Sequence, residues 1–488
     1  MLVGVNAAWF SALAVTHVAF GPGELVNGET VALALLYVLI VIVALFCASA
    51  ASNAVTCVFG FASAVIYGQS LLFSRLLPGI GHYSRSVTLG SDDMNAALKL
   101  LLGFTVAAVA GFRAGEILTP KCRMWRMEEW FVHEANRRLF YKVAMLGNLV
   151  YAALAFVLIP QTGRMWSDRL VVKMLLHLVV FNGVYVYPTI VILLHPKLKR
   201  SARELSMIGG VLFTYFLGGF ITGEKGAFMH MLLIAFVCRL LFGVKELSQR
   251  LAMVYVGAAV LLLFMFAVTP AVKGAMRASG LGLEAAEEKF SEVFAIDYEG
   301  GVVAQVLNLS LRFGGMEWFA AILVKADTFK EYFTVPMLFE SLVNTFVPWP
   351  GKVFPELVDV GTAMQVAMWG LSYEDTKLIG GYPMLPGWMY VTFGGVGGAV
   401  VMCVWGAVAV MVVRSDVGLI KKLMFVYLFV WSFFLSGDLV PYVKGYAVSI
   451  VMLWMITRLG VQRRIRTGDE MAAGRVRARG CVPLVSGE

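Results

Sequence analysis

The amino-acid sequence predicts an all-α polytopic membrane protein with about twelve transmembrane helices. Of its 488 residues, 59% are hydrophobic and only 15% are charged, whereas a soluble domain carries about 25% charged residues. The mean hydropathy is +0.79. A helix needs roughly 20 apolar residues to cross the hydrocarbon core of a bilayer, and twelve stretches are long enough. These stretches lie near residues 4–20, 30–49, 53–73, 96–114, 141–160, 171–195, 206–222, 226–243, 251–269, 386–413, 420–437 and 440–457.

The positions of lysine and arginine predict the orientation of these spans. Basic clusters occur at alternate span ends, within 113–142, 195–204, 244–250 and 414–422, and again after Arg458. If these clusters face the cytoplasm, as the positive-inside rule requires, both termini are cytoplasmic. The chain then divides into four regions. They are the first nine transmembrane helices in 1–269, a large extracytoplasmic (periplasmic) loop in 270–385, the last three helices in 386–457, and a basic cytoplasmic tail in 458–488.

Several functional classes receive no support from the sequence. The net charge of +9 comes from short clusters between apolar runs, so it does not indicate a nucleic-acid partner. The six cysteines include no CxxC pair, which argues against a disulfide framework or a zinc site. There is no Walker A loop for ATP hydrolysis and no DxD pair in the outer loop. Any catalysis is therefore expected to need neither a metal nor another cofactor.

Residues 307–323, LNLSLRFGGMEWFAAIL, place two charges inside an apolar run of the outer loop. As a helix, this stretch would form a polar seam from Gln305, Asn308, Arg312 and Gly315, with Glu317 off the seam. A crossing here would turn the basic tail outward. We therefore predict a membrane-lying or re-entrant helix that faces a cavity, beside an amphipathic surface helix at 275–294.

Further cations are predicted on the outer face. Lys225, in TGEKGAF between two spans, either contacts a ligand or snorkels at a hairpin. Lys352, in FVPWPGKVFPE, belongs either to a site or to a rigid loop. His82 and Arg85 either join a site or lie in a solvated loop. Such cations suit a pyrophosphate on a lipid, and a carboxylate could accept the proton of an attacking hydroxyl. This is the chemistry of glycosyl transfer from a lipid-linked sugar.

Three motifs carry a family resemblance. LSLRFGGMEWFAAIL, FVPWPGKVFPE and LPGWMYVTFGGVGGAVVMCVWGAV, in this order, resemble Wzy-type oligosaccharide repeat-unit polymerases, which make O-antigen or exopolysaccharide. TGEKGAF resembles the family's Gly-x-Arg-Gly hairpin, with Lys225 at the arginine position. The resemblance covers roughly residues 206–413 and implies a C-superfamily (GT-C-like) membrane glycosyltransferase.

The resemblance also implies roles for particular residues. Arg312 corresponds to the family's outer-loop arginine and is expected to hold the donor's pyrophosphate. PGWMYVTFG lacks the acidic residue that the family usually has there, so Glu317 is our hypothesis for the base. Trp388 and Tyr390, in the same motif, are expected at the membrane interface.

The family further implies a localisation and partners. The protein would lie in the bacterial cytoplasmic (inner) membrane and act on undecaprenyl-pyrophosphate-linked repeat units. Membrane lipid and a chain-length-determining co-polymerase would be its other partners. Three alternatives stay open: an O-antigen ligase-like transferase, a polysaccharide transporter or flippase, and a structural subunit of an export complex. Flippases typically show related halves and charges near mid-span, which this chain lacks.

Overall fold

A computed structural model describes most of the N-terminal half of the chain and the last helices. The described residues are 2–47, 53–68, 70–72, 87–120, 127–162, 183–195, 198–222, 315–346, 385–430 and 449–458, with a few isolated positions. The predicted spans 226–243 and 251–269, most of the loop 270–385 and the tail beyond Arg458 lie outside these residues, and so does the amphipathic helix at 275–294 except for isolated positions.

The described residues form helices and contain no β-strand. The helices are α1 (Leu2–Phe20), α2 (Gly28–Cys47), α3 (Asn53–Ala62), α4 (Ser91–Leu118), α5 (Glu129–Val132), α6 (Glu134–Thr162), α7 (Gly183–Leu194), α8 (Ala202–Thr222), α9 (Gly315–Val324), α10 (Ala326–Tyr332), α11 (Val335–Phe346), α12 (Leu385–Arg414), α13 (Leu419–Val430) and α14 (Ser449–Arg458). A π-helical turn, Ser63–Gly68, continues α3.

Five helices in the described part of the chain are long and apolar enough to cross a membrane. Their spanning segments are Gly28–Cys47, Ser91–Leu118, Glu134–Pro160, Ala202–Ile221 and Pro386–Arg414. This confirms the prediction of an all-α membrane protein. The number of twelve spans and their orientation in the membrane stay predictions.

The most extensive helix interface joins α4 and α12. The two helices run in the same direction, since Leu100 lies beside Gly395 and Gly111 lies beside Cys403. A Cβ atom on Gly111 would overlap the carbonyl oxygen of Cys403, so the two backbones are in contact. Helices in membranes associate through such close packing because lipid provides no hydrophobic driving force between them.

The N-terminal helices pack around α4 and the π-helical turn. The Asn6 side chain donates to the Gly60 carbonyl at 2.9 Å, which ties α1 to α3. The Tyr37 hydroxyl of α2 donates to the Ser63 Oγ at 2.9 Å, and Ser63 in turn donates to the Phe59 carbonyl at 2.8 Å. These bonds satisfy polar groups that neither lipid nor apolar side chains can satisfy.

A second group contains α6, α7 and α8. Helices α6 and α8 are parallel, and the Asn148 side chain donates to the Val211 carbonyl at 3.2 Å. Near the start of both helices, Arg137 pairs with Glu204, with the two side chains only 3% and 0% exposed. Tyr141 donates to the same carboxylate at 3.1 Å. Arg137, which belongs to the basic cluster 113–142, is thus a buried, paired residue inside α6 rather than an exposed loop charge.

Helix α13 joins the two groups because it packs against both α3 and α7, and further contacts lie at one end of the bundle. Arg414, at the end of α12, donates to the Thr119 carbonyl at the end of α4 at 2.7 Å. Glu128 accepts from the Ile420 backbone N–H at the start of α13 at 3.0 Å, and burial raises the pKa of this carboxyl. We call this the basic end because it gathers Arg113, Arg137, Arg138, Arg200, Arg203, Arg414 and Lys421. The opposite end, where α2, α4 and α12 begin, is called the α9 end.

Candidate functional site

The short helix α9 is embedded in the bundle rather than laid on its surface. The structure describes 10 residues of this helix, which extend over about 15 Å. It packs against α4, the first part of α12 and the π-helical turn. Its buried residues are Gly315, Met316, Trp318, Phe319, Ala320, Ala321 and Ile322. The described part of the predicted re-entrant stretch is thus helical and lies inside the protein.

Both the start and one side of α9 make specific contacts. The Met316 backbone N–H donates to the Ser70 Oγ at 3.1 Å, which satisfies one of the first four N–H groups that a helix leaves without an internal partner. On its side, α9 approaches Gly387 so closely that a Cβ there would lie 2.9 Å from the Ile322 Cδ1. We call the surface around Ser70 and Gly387, against which this helix packs, the α9 seat.

The first part of α12 forms one wall of this seat. Trp388 is only 2% exposed, and its ring centroid lies 6.4 Å from that of Phe333, just beyond α10. The Trp388 ring therefore packs inside the protein, and its depth at the membrane interface stays a prediction. At Gly394 the helix is interrupted, with φ 72° and ψ −176°. This break separates the wall of the seat from the segment that packs along α4.

Replacing Gly394 by alanine is expected to lower the free energy of unfolding by about 1–3 kcal/mol, because its backbone conformation is essentially restricted to glycine. A Cβ at this position would meet no described atom within 4 Å, so the effect would come from backbone strain. Gly395→Ala is the matched control, since its Cβ would make an ordinary 3.8 Å contact with Leu100. Thermal unfolding of both variants in detergent tests this, and equal losses would contradict it.

One of the predicted site residues lies in the described part of the chain. Glu317 is partly buried in the first turn of α9, where the partial positive charge of a helix N-terminus favours a carboxylate. The other predicted site residues lie outside the described residues. They are Lys225, Arg312, Lys352, His82 and Arg85.

No family model, curated protein or solved structure matches the chain. A functional proposal therefore depends on the sequence motifs and on how the described residues bring the motif segments together.

Polar groups at the start of α2 were not predicted as part of the site. The Asn27 Oδ1 accepts from the Thr30 backbone N–H at 2.9 Å, and the Thr30 Oγ1 accepts from the Asn27 N–H at 3.1 Å. The spacing Asn-x-x-Thr resembles a capping box, which is the sequence signal that would have found it. The Thr30 hydroxyl also donates to the Asn95 Oδ1 of α4 at 2.7 Å, so the cap fixes α2 and α4 to each other at the α9 end.

Two exposed ion pairs add charge at this end. Lys99 lies 2.7 Å from Glu29, and Lys330 lies 2.8 Å from Asp327 on α10. The hydrogen bond from Lys330 lowers the pKa of Asp327, which stays ionised near neutral pH. Because solvent screens exposed ion pairs, these two pairs contribute little to the stability of the fold. They nevertheless place charged groups at the α9 end.

Among the residues that the structure describes, no group of three or more His, Cys, Asp or Glu side chains is arranged to hold a metal ion. The expectation of chemistry without a metal stays a prediction, since most of the outer loop lies outside the described residues.

Proposed function

We propose that the protein polymerises oligosaccharide repeat units carried on undecaprenyl pyrophosphate, as a membrane glycosyltransferase. The observation that supports this most is the contact between two motif segments far apart in the chain. Residues of GGMEWFAAIL in α9 pack against LPGWMY at the start of α12, where Gly387 meets Ile322 and Phe319. Segments that share a site are expected to meet in this way.

The chemistry follows from the residues of these segments. Three peptide units join Arg312 to Gly315 and span at most about 11 Å. The Arg312 backbone therefore lies within that distance of the first described residue of α9. We assign to Arg312 the binding of the donor's pyrophosphate, because its planar guanidinium group can donate two parallel hydrogen bonds to phosphate oxygens. Lys225, Lys352, His82 and Arg85 would neutralise charge or bind the glycan.

The proposed reaction is a single glycosyl transfer that is repeated as the polysaccharide grows. A hydroxyl of the acceptor sugar attacks the anomeric carbon of the donor glycan, and the bond from that carbon to the pyrophosphate oxygen breaks. Glu317 takes the proton of the hydroxyl, and undecaprenyl pyrophosphate leaves with the bonding electrons. Electrostatic stabilisation of the leaving pyrophosphate by Arg312 is the larger expected contribution to catalysis.

The proposed orientation places the α9 end on the outer face of a bacterial cytoplasmic membrane. The basic end then faces the cytoplasm, where lysine and arginine are favoured next to spans. Lipid-linked repeat units and membrane lipid are the proposed partners, with a chain-length-determining co-polymerase as a further one. The growing product would be a surface polysaccharide.

The direct test uses purified protein with lipid-linked repeat units, followed by chain-length analysis. A ladder of products supports polymerisation, and transfer to a different acceptor without a ladder would indicate a ligase instead. No product from a folded preparation would contradict the proposal, and movement of the lipid-linked units across vesicles without transfer would indicate a flippase.

Arg312→Ala is expected to abolish the ladder while membrane insertion stays unchanged, because the pyrophosphate loses its bidentate partner. Arg203→Ala is a suitable control, since Arg203 is an exposed arginine at the basic end and its loss should leave the ladder intact. Wild-type laddering by Arg312→Ala would remove this residue from the mechanism.

A further inference from the structure

We infer that Ser70 is a positioning residue for the transfer reaction, because its hydroxyl fixes the start of α9. This inference rests on the proposed function, in which α9 carries Glu317 and follows Arg312. Ser70 is 2% exposed, and its Oγ accepts the Met316 N–H at 3.1 Å. Met316 itself is fully buried, so the bond lies away from lipid and water.

This bond fixes the rotation of α9 about its own axis, in addition to contributing to the stability of the helix. The apolar side chains of the helix, such as Phe319 and Ile322, bury surface against α4 and α12, but apolar burial is non-directional. Successive residues of a helix differ by about 100° in direction. A hydrogen bond from one particular N–H therefore selects which face of α9 each side chain occupies, including the face of Glu317.

The position of Ser70 depends on the π-helical turn that precedes it. Ser63–Gly68 is wound more widely than an α-helix, and such turns are frequent near functional sites. Gly68 at its end packs against α1, where an added Cβ would lie 3.0 Å from the Phe10 Cε2. This contact holds the end of the turn, two positions before Ser70, against α1.

The test compares Ser70→Ala with Thr189→Ala in the purified full-length protein. Thr189 is also a buried hydroxyl, but its partner is the Tyr185 carbonyl of α7 rather than α9. We expect Ser70→Ala to lower kcat for polymerisation about tenfold, with KM for the lipid-linked donor unchanged. A tenfold change equals about 1.4 kcal/mol, which lies within the cost of leaving a buried N–H without a partner.

Two further readouts separate positioning from a general loss of stability. Amide hydrogen exchange in peptides covering 315–324 should accelerate in Ser70→Ala and stay at the wild-type rate in Thr189→Ala. Ser70→Thr, which retains the hydroxyl, should restore both the exchange protection and kcat.

The outcomes distinguish this inference from the proposed function. If wild-type protein polymerises and Ser70→Ala does so at the same kcat, or if exchange in 315–324 does not change, the role of Ser70 is refuted and the polymerase proposal stands. If the folded wild-type protein makes no polymer, the proposed function is refuted together with the catalytic part of the inference.

Discussion

Gly111→Ala is expected to destabilise the protein by about 3 kcal/mol, the upper part of the usual cost of over-packing. The added Cβ would overlap the backbone carbonyl of Cys403, and a backbone cannot rotate away as a side chain can. The helices α4 and α12 would have to separate along their whole interface. Thermal unfolding in detergent and the yield of monodisperse protein measure the effect.

The matched control for this prediction is Gly103→Ala on the same helix. A Cβ at Gly103 would meet no described atom within 4 Å, and alanine favours a helix over glycine. Its stability should equal or slightly exceed that of the wild type. Equal unfolding temperatures for Gly111→Ala and Gly103→Ala would contradict the close backbone contact between α4 and α12 at Gly111.

Arg137→Ala is expected to cost about 3–5 kcal/mol, because it leaves a carboxylate buried without its partner. Glu204 is completely buried, and the arginine also donates to the carbonyls of Phe131 and Val132 at 3.0 and 2.7 Å. The loss would loosen the junction between α5, α6 and α8. Denaturation of the detergent-solubilised variant measures it.

Two comparisons make this second prediction specific. Arg138→Ala removes the neighbouring arginine from a partly exposed pair with Glu134, a type of pair worth at most about 1 kcal/mol. The double variant Arg137→Met with Glu204→Gln removes both charges and should recover part of the loss. A cost for Arg137→Ala no greater than that for Arg138→Ala would show that the buried pair does not stabilise the fold.

The fold class and the positions of the five long helices in the described part of the chain were accessible from hydropathy, because burial in lipid demands long apolar helices. Helix ends were less accessible. We predicted a span at 96–114, whereas α4 runs from Ser91 to Leu118. The extra turn at the N-terminal end is polar and depends on local bonds, such as the one from the Gly90 N–H to Asp93 at 2.8 Å, which a hydropathy average does not detect.

The candidate site was accessible only through its motifs. Glu317 and Arg312 were identified as charges in an apolar run, but the seat depends on partners distant in sequence. Ser70 lies 246 positions from Met316, and the sequence around Ser70 contains no pattern that predicts this contact. The sequence does not distinguish the four glycines of GGVGG from one another, yet Gly394 breaks α12 whereas Gly398 lies against Phe104.

The parallel contact of α4 with α12 has a consequence for the biogenesis of the protein. Helices that point the same way cannot be joined as a hairpin, and here Arg414 meets Thr119 across 295 positions. During synthesis α9 emerges well before α12, so it has no wall on that side until the first part of α12 has also been made. The seat of α9 is therefore closed late in translation, and a chain released before α12 has been inserted cannot assemble it.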